Sequence, residues 1–148
     1  MFNFLSRLAI LAAASLALPG CAHSVAASAS DELSIASAYV EAYNSRDLKE
    51  MSALMHDEVQ WISIEGSEAA IFANGKADLI EQMRSYLTSP MATLSELDGS
   101  VTDGRFVAVR EIARWSDAEG NPKSQSALAV YEIEEGLVRR VWYYPASR

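Results

Sequence analysis

Apolar and polar positions alternate along the second half of the chain. In VAVREIARW, residues 107–115, every second side chain lies on one face, because successive side chains of a strand point to opposite sides. Similar but less regular alternation, interrupted by Gly-containing turns, predicts a set of consecutive strands. These strands are 92–101, 105–116, 123–134 and 137–144.

The first half shows apolar residues at helical spacing. The pattern predicts a first helix that ends at Asn44, a second capped by Asp47, and a third that Asn74-Gly75 opens and Pro90 closes. A strand over 58–65 is predicted between the second and third helices. The order predicts an α+β fold, with three N-terminal helices packed on an antiparallel sheet.

The N-terminus has the pattern of an export signal. Residues 8–18, LAILAAASLAL, are too short an apolar run to cross a bilayer but suit a signal peptide over residues 1–20. Leu18-Pro19-Gly20-Cys21 resembles a bacterial lipobox, which implies lipidation of Cys21; the alternative is ordinary secretory cleavage after Ala27 or Ala29. The expected mature protein has a flexible tether, 21–30, and one folded domain, 31–148. We expect it in the periplasm of a Gram-negative bacterium, lipid-anchored to the outer membrane.

Composition narrows the function. A formal net charge of −8 and the lack of a basic run argue against nucleic-acid binding. Cys21 is the only cysteine of the 148 residues, so no disulfide framework is possible. The two histidines, His23 and His56, do not share a metal-ligand spacing, and no phosphate-binding loop is present. We therefore predict neither a metal nor a cofactor.

Three segments carry a family resemblance. AYVEAYNSRDLKEMSALMHDEVQW (38–61), NGKADLIEQM (74–83) and EIEEGLVRRVWYY (132–144) occur in the order typical of the nuclear transport factor 2-like superfamily, which the chain resembles. This superfamily includes SnoaL-like polyketide cyclases, ketosteroid isomerases and many domains without catalysis. The resemblance implies a strongly curved sheet that forms a cone-shaped pocket with the helices, and a homodimer.

The ketosteroid isomerase pattern is incomplete in this chain. The resemblance places its oxyanion-donating tyrosine on Tyr39, its general-base aspartate on Ser63 and its protonated acid on Ala129. Serine cannot replace the aspartate as a general base at neutral pH, and the alanine side chain has no proton that it could donate in a hydrogen bond. The isomerase mechanism is therefore not expected as such.

The inner face of the expected sheet combines apolar and aromatic residues with a few polar atoms. This composition is typical of a small-molecule pocket, but the same residues could form a plain core. The candidate ligand-binding residues are Tyr39, Trp61, Ser63, Met83, Val109, Glu111, Trp115, Ala129, Tyr131 and Tyr143.

Glu111 is the residue in this row whose presence most needs a reason. A buried carboxylate loses hydration, so it needs a partner or a function. Glu111 is the candidate catalytic residue, as a general acid or base with Tyr39 and Tyr131 orienting the substrate; the alternative is a structural acid that a basic residue or tyrosines satisfy. Two functions remain open: a non-catalytic domain that binds a small apolar or aromatic ligand or a protein partner, and a SnoaL-like isomerase, cyclase or dehydratase.

The opposite face of the sheet carries a second set of aromatic and apolar residues, mixed with arginines. Such a surface is enriched in the residues that interfaces use. We expect a homodimer through the outer face residues Phe106, Ile112, Trp142 and Tyr144; a monomer with a partly apolar outer sheet is the alternative.

Overall fold

The computed structural model describes residues 29–90 and 92–145. The predicted signal peptide, Cys21 and tether residues 21–28 lie outside this part of the chain. The first helix begins at Ala29, so the last two residues assigned to the tether are helical. Within the described ranges, no helix has the length and apolar character needed to cross a membrane.

Three helices and six strands make up the described residues. In chain order they are α1 Ala29–Asn44, α2 Leu48–Ala53, β1 Met55–Glu65, β2 Glu68–Asn74, α3 Lys76–Leu87, β3 Leu94–Asp103, β4 Phe106–Ser116, β5 Pro122–Glu134 and β6 Leu137–Pro145. Asp47 caps α2 as expected, since its Oδ1 accepts hydrogen bonds from the backbone N–H groups of Lys49 and Glu50.

Two expectations about the order of elements need correction. Only α1 and α2 precede the sheet, because the hairpin of β1 and β2 separates them from α3. Strand β2 was not expected: six of its seven side chains are exposed, so EAAIFAN shows no inward-facing alternation. Strand β1 also begins three residues before the expected Glu58, because Met55 pairs with Val138 of β6.

The sheet is mixed rather than antiparallel throughout. Its strand order is β2-β1-β6-β5-β4-β3, and the neighbouring strands β1 and β6 run parallel. The antiparallel prediction was wrong at this pair. Hairpins fix the direction only of strands that are adjacent in sequence, whereas β1 and β6 are far apart in the sequence. Register shifts interrupt the pairing of β3 with β4, β5 with β6 and β1 with β2, and such bulges bend a sheet.

The alternation of β4 is confirmed by its burial. Val107 and Val109 are fully buried with Glu111 on the inner face, whereas Arg110 and Arg114 on the opposite face are exposed. The arginines pair with Asp98 and Glu96 of β3 across the outer face. The inner face packs on α1 and α3, which places Glu111 beneath the helices.

The outer face is partly apolar and contains one buried acid. Leu128 and Tyr144, directly opposite each other on β5 and β6, are 49% and 40% exposed, and Phe106 is 39% exposed; Ile112 and Trp142 are half-buried. Glu132 is only 1% exposed. Its carboxylate pairs with Arg105 at 2.9 Å and with Arg140 at 2.7 Å, which compensates the buried charge.

Candidate functional site

A cavity of about 280 Å³ lies between the inner face of the sheet and helices α1 and α3. Helix α1 contributes Tyr39 and Tyr43 to its wall, and α3 contributes Met83 and Tyr86. These pairs lie four and three residues apart, so each shares one face of its helix. The strands contribute the rest of the wall, mostly aromatic: Trp61, Phe72, Tyr131 and Tyr143, with Ala113 and Glu111.

Glu111 is held by three hydroxyl groups. Its Oε2 accepts hydrogen bonds from the hydroxyls of Tyr131 at 2.8 Å and Tyr143 at 3.0 Å, and its Oε1 accepts one from Ser95 at 2.7 Å. The side chain is 9% exposed. Because a carboxylate has about four acceptor positions, one position on Oε1 remains available. No basic side chain of the described residues forms an ion pair with Glu111.

The end of α1 fixes the position of Ser95. The side chain of Asn44 donates to the carbonyl oxygen of Ser95 at 2.7 Å and accepts from its N–H at 2.8 Å. The next turn of the chain adds Arg46, whose guanidinium donates to the carbonyl oxygens of Thr93 and Ala92. The start of β3 is thereby fastened to α1, which brings the Ser95 hydroxyl to Glu111.

Thr93 connects the two helices at the same place. Its hydroxyl lies 2.9 Å from the Tyr43 hydroxyl and 3.2 Å from that of Tyr86, and its N–H donates to the Tyr86 oxygen at 3.0 Å. The rings of Tyr43 and Tyr86 stack at 6.4 Å. This part of the wall is thus held by both packing and hydrogen bonds.

Trp61 forms the opposite part of the wall. Its ring meets Phe72 and Tyr143 edge to face, with centroids 5.5 Å and 5.3 Å apart, an arrangement that aromatic pairs prefer. The Nε1 atom of Trp61 is buried and has no hydrogen-bond partner among the described residues. The wall at this point therefore combines aromatic packing with one unsatisfied N–H donor.

A second cavity adjoins the first at Glu111. It measures about 430 Å³ and is lined by Trp115 and by Gln125, Ser126 and Ala127 of β5. Thr93, Glu111, Ala113 and Tyr143 line both cavities. Glu111 thus lies at the junction of a cavity under the helices and one at the end of the sheet.

The ten candidate ligand-binding residues fall into three groups. Six line the cavity under the helices, which we call the main cavity: Tyr39, Trp61, Met83, Glu111, Tyr131 and Tyr143. Trp115 lines the adjoining cavity, and Ser63 lines a smaller one beside Trp61 and Phe72. Val109 and Ala129 lie in the hydrophobic core and line none of these cavities.

Several lining residues were not among the candidates. Tyr43 could have been found, since it follows Tyr39 by four residues on the same helix. Ser95 could not be predicted in the same way. Placing it requires the register of β3 against β4, in which Leu97 is opposite Glu111. Phe72 lies on the unexpected strand β2, and Thr93 and Tyr86 gave no signal of their own.

Burial changes the titration of the tyrosines around Glu111. Removal from water raises the pKa of Tyr39 and of Tyr131 well above the usual value for tyrosine, and the nearby carboxylate adds to both effects. The pKa of Tyr143 is raised in the same way, by burial first and then by the carboxylate. These three hydroxyls therefore keep their protons at neutral pH, and those of Tyr131 and Tyr143 act as donors to Glu111.

The cavity has the volume of a small molecule, and its lining offers a hydrogen-bond acceptor at Glu111 among aromatic walls. In the described part of the chain, no three His, Cys, Asp or Glu side chains lie close enough together to hold a metal ion. The structure offers no substitute for the isomerase base and acid at the two corresponding positions of the described chain. Ser63 lies outside the main cavity, and Ala129 is fully buried.

Fold and cavity together define a cone-shaped α+β domain with an interior pocket. The SnoaL-like domain pattern matches residues 36–141, which is most of the described chain. The chain therefore belongs to the SnoaL-like domain family, which confirms the resemblance.

Solved structures share the fold at low sequence identity. A proposed ketosteroid isomerase from Kribbella flavida DSM 17836 is 21% identical over 80% of each chain, with a TM-score of 0.64. An LEH-like epoxide hydrolase from M. tuberculosis is 13% identical, covering 79% of this chain and 84% of its own, with a TM-score of 0.66. TerC, co-crystallised with polyporic acid, is 14% identical over 78% and 92%, with a TM-score of 0.64. At these identities the likeness shows the fold alone. No curated protein sequence matches the chain.

The buried tyrosines predict a loss of stability at high pH. Above about pH 10 the unfolded chain releases tyrosine protons that the folded chain keeps, so the free energy of unfolding falls as pH rises, by about 1.4 kcal/mol per pH unit for each such tyrosine. Urea unfolding, followed by circular dichroism, measures this slope over a range of about pH 9 to about pH 11.5. This range brackets the usual pKa of tyrosine. We expect Tyr131→Phe to remove one tyrosine's share.

The matched control is Ser63→Ala, which also removes one hydroxyl group but leaves the number of tyrosines unchanged. Its slope should equal that of the unchanged chain. Equal slopes for Tyr131→Phe and Ser63→Ala would show that the Tyr131 hydroxyl does not remain protonated in the folded state.

Proposed function

We propose that this SnoaL-like domain binds a small apolar or aromatic molecule in the main cavity and does not transform it chemically. The supporting observation is the cavity itself, about 280 Å³ with aromatic walls that reach Glu111. A cavity of about 150 Å³ with apolar walls is already large enough for benzene, so this one has room for a substituted ring. TerC, of the same fold, was co-crystallised with an organic acid.

The polar groups favour binding over catalysis. Proton abstraction needs a base within hydrogen-bond reach of the substrate and with a free lone pair. Oε2 of Glu111 already accepts two tyrosine hydroxyls, and the isomerase base and acid positions hold Ser63 and Ala129. Hydroxyl donors on three sides stabilise the carboxylate as a fixed acceptor for a ligand.

One observation supports catalysis as the second candidate. Oε1 of Glu111 accepts only the Ser95 hydroxyl among its recorded bonds and lies where two cavities meet, so a substrate could reach it. In this case Glu111 acts as general acid or base, with Tyr39 and Tyr131 orienting the substrate. The reaction would be an isomerisation, cyclisation or dehydration without a metal.

Ligand titration distinguishes an open pocket from a plain core. We expect substituted benzenes to change the fluorescence of Trp61, because this ring lines the cavity. Ala113→Phe places a ring inside the cavity and should weaken binding by tenfold or more, on the order of 1.4 kcal/mol. Each bound compound is then followed by chromatography for turnover, and a product that disappears in Glu111→Gln would establish the catalytic function instead.

Arg114→Phe serves as the matched control for this experiment. It adds the same ring one residue away on β4, but on the exposed outer face, and loses only a surface ion pair with Glu96. Its affinity should equal that of the unchanged chain. If no aromatic compound binds, or if both variants behave alike, the cavity is not the binding site.

We also propose that the outer sheet face forms a homodimer. Phe106, Leu128 and Tyr144 are large, exposed apolar side chains of one face, with Ile112 and Trp142 beside them. Such patches on soluble domains commonly mark interfaces.

Light scattering tests the homodimer. It should give about twice the mass of one chain, and Leu128→Glu should halve this mass. Ala53→Glu, on an exposed position of α2, is the control that should remain a dimer; a single-chain mass for the unchanged protein contradicts the proposal.

For the N-terminus we propose export and lipidation at Cys21, on the sequence pattern of residues 1–21. Fractionation of a Gram-negative host should place the full chain with the membranes, and Cys21→Ser should move it to the soluble or unprocessed fraction. Labelling with radioactive palmitate checks the lipid directly. A soluble periplasmic protein without label would support the ordinary secretory signal instead.

A further inference from the structure

The sheet buries two glutamates, and their surroundings differ in one respect. Glu132 on the outer face is 1% exposed and pairs with two arginines, Arg105 and Arg140. Glu111 on the inner face is 9% exposed, and among the described residues only hydroxyl groups donate to it. Hydroxyl dipoles replace water but carry no net charge, so the negative charge of Glu111 is not neutralised by the described side chains.

The rest of the lining does not supply the missing positive charge. Among the described residues that line the main cavity, Glu111 is the only charged one, and seven others are aromatic. Arg46 contacts the outside of this lining, with its guanidinium carbon 5.8 Å from the centre of the Tyr43 ring. Its nitrogens are occupied by the carbonyl oxygens of Ala92 and Thr93, and it does not line the cavity.

Aromatic rings and a carboxylate attract the same kind of ligand. The face of an aromatic ring is negative and attracts a cation, most strongly when water is excluded. A carboxylate attracts the same cation by charge and, through the open position on Oε1, by a hydrogen bond. An anionic ligand would meet repulsion from both.

We propose that the cavity binds a small organic ammonium ion, with the charged nitrogen at Glu111 and the carbon skeleton against the aromatic walls. This inference rests on the proposed function, because it names the ligand class of the same cavity. It goes beyond that function in requiring a positive charge, which an apolar pocket alone does not.

Three probes that share one ring separate charge from shape. Benzylamine, which is protonated at neutral pH, and benzyl alcohol have the same number of non-hydrogen atoms; benzoate carries the opposite charge. Calorimetric titration of the purified full chain at about 0.15 M salt limits non-specific attraction to the acidic surface. We expect benzylamine to bind at least tenfold more tightly than benzyl alcohol, and benzoate to bind most weakly.

Two variants locate the charge that causes this preference. Glu111→Gln keeps an acceptor oxygen but carries no charge, so this variant should bind benzylamine and benzyl alcohol with equal affinity. Glu96→Gln removes the same charge from the exposed outer face of β3 and should retain the full preference. The comparison of the three probes on the unchanged chain does not depend on either variant.

The outcomes separate this inference from the proposed function. If benzyl alcohol or benzoate binds as tightly as benzylamine, the cavity binds ligands but not by charge, and the inference is wrong while the proposed function stands. If none of the three binds, both are contradicted. A preference for benzylamine that Glu96→Gln reduces as much as Glu111→Gln would show attraction to the acidic surface, and this also overturns the inference.

Discussion

Two helices have to cover the concave face of a sheet whose longest strand is much longer than either of them. Strand β5 has 13 residues and extends about 43 Å, whereas α1 with 16 residues and α3 with 12 extend about 24 Å and 18 Å. Because the sheet also curves, the helices cannot fill all the space above it. The cavity follows from this difference in length, and the large aromatic side chains reduce it without closing it.

The polar groups of the cavity depend on the contacts that hold the helices in place. Asn44 and Arg46 fasten the end of α1 to the start of β3, and Tyr86 fastens α3 to Thr93. The same short segment carries Ser95, whose hydroxyl completes the hydrogen bonding of Glu111. Helix docking and the satisfaction of the buried carboxylate are therefore achieved by one part of the chain, residues 92–95.

The sequence was most informative where one face of a strand is buried and the other exposed. The alternation of Val107, Val109 and Glu111 with Arg110 was enough to place the acid on the inner face. It failed at β2, an edge strand whose side chains are nearly all exposed, and at the parallel pairing of β1 and β6, which no local signal encodes. The partners of Glu111 were only partly predicted: Tyr131 and Tyr143 follow from strand parity, whereas Ser95 required the register between β3 and β4.

The parallel pairing of β1 with β6 has a consequence for the order in which the protein can fold during synthesis. The ribosome makes β1 early and β6 last, and β6 lies between β1 and β5 in the sheet. Until residues 137–145 have left the exit tunnel, no strand joins the β1–β2 hairpin to β3, β4 and β5 in the sheet. Contacts between such distant segments close slowly, so the sheet stays incomplete until β6 has been made. A truncation that removes β6 would therefore leave two separate pieces of sheet rather than a smaller domain.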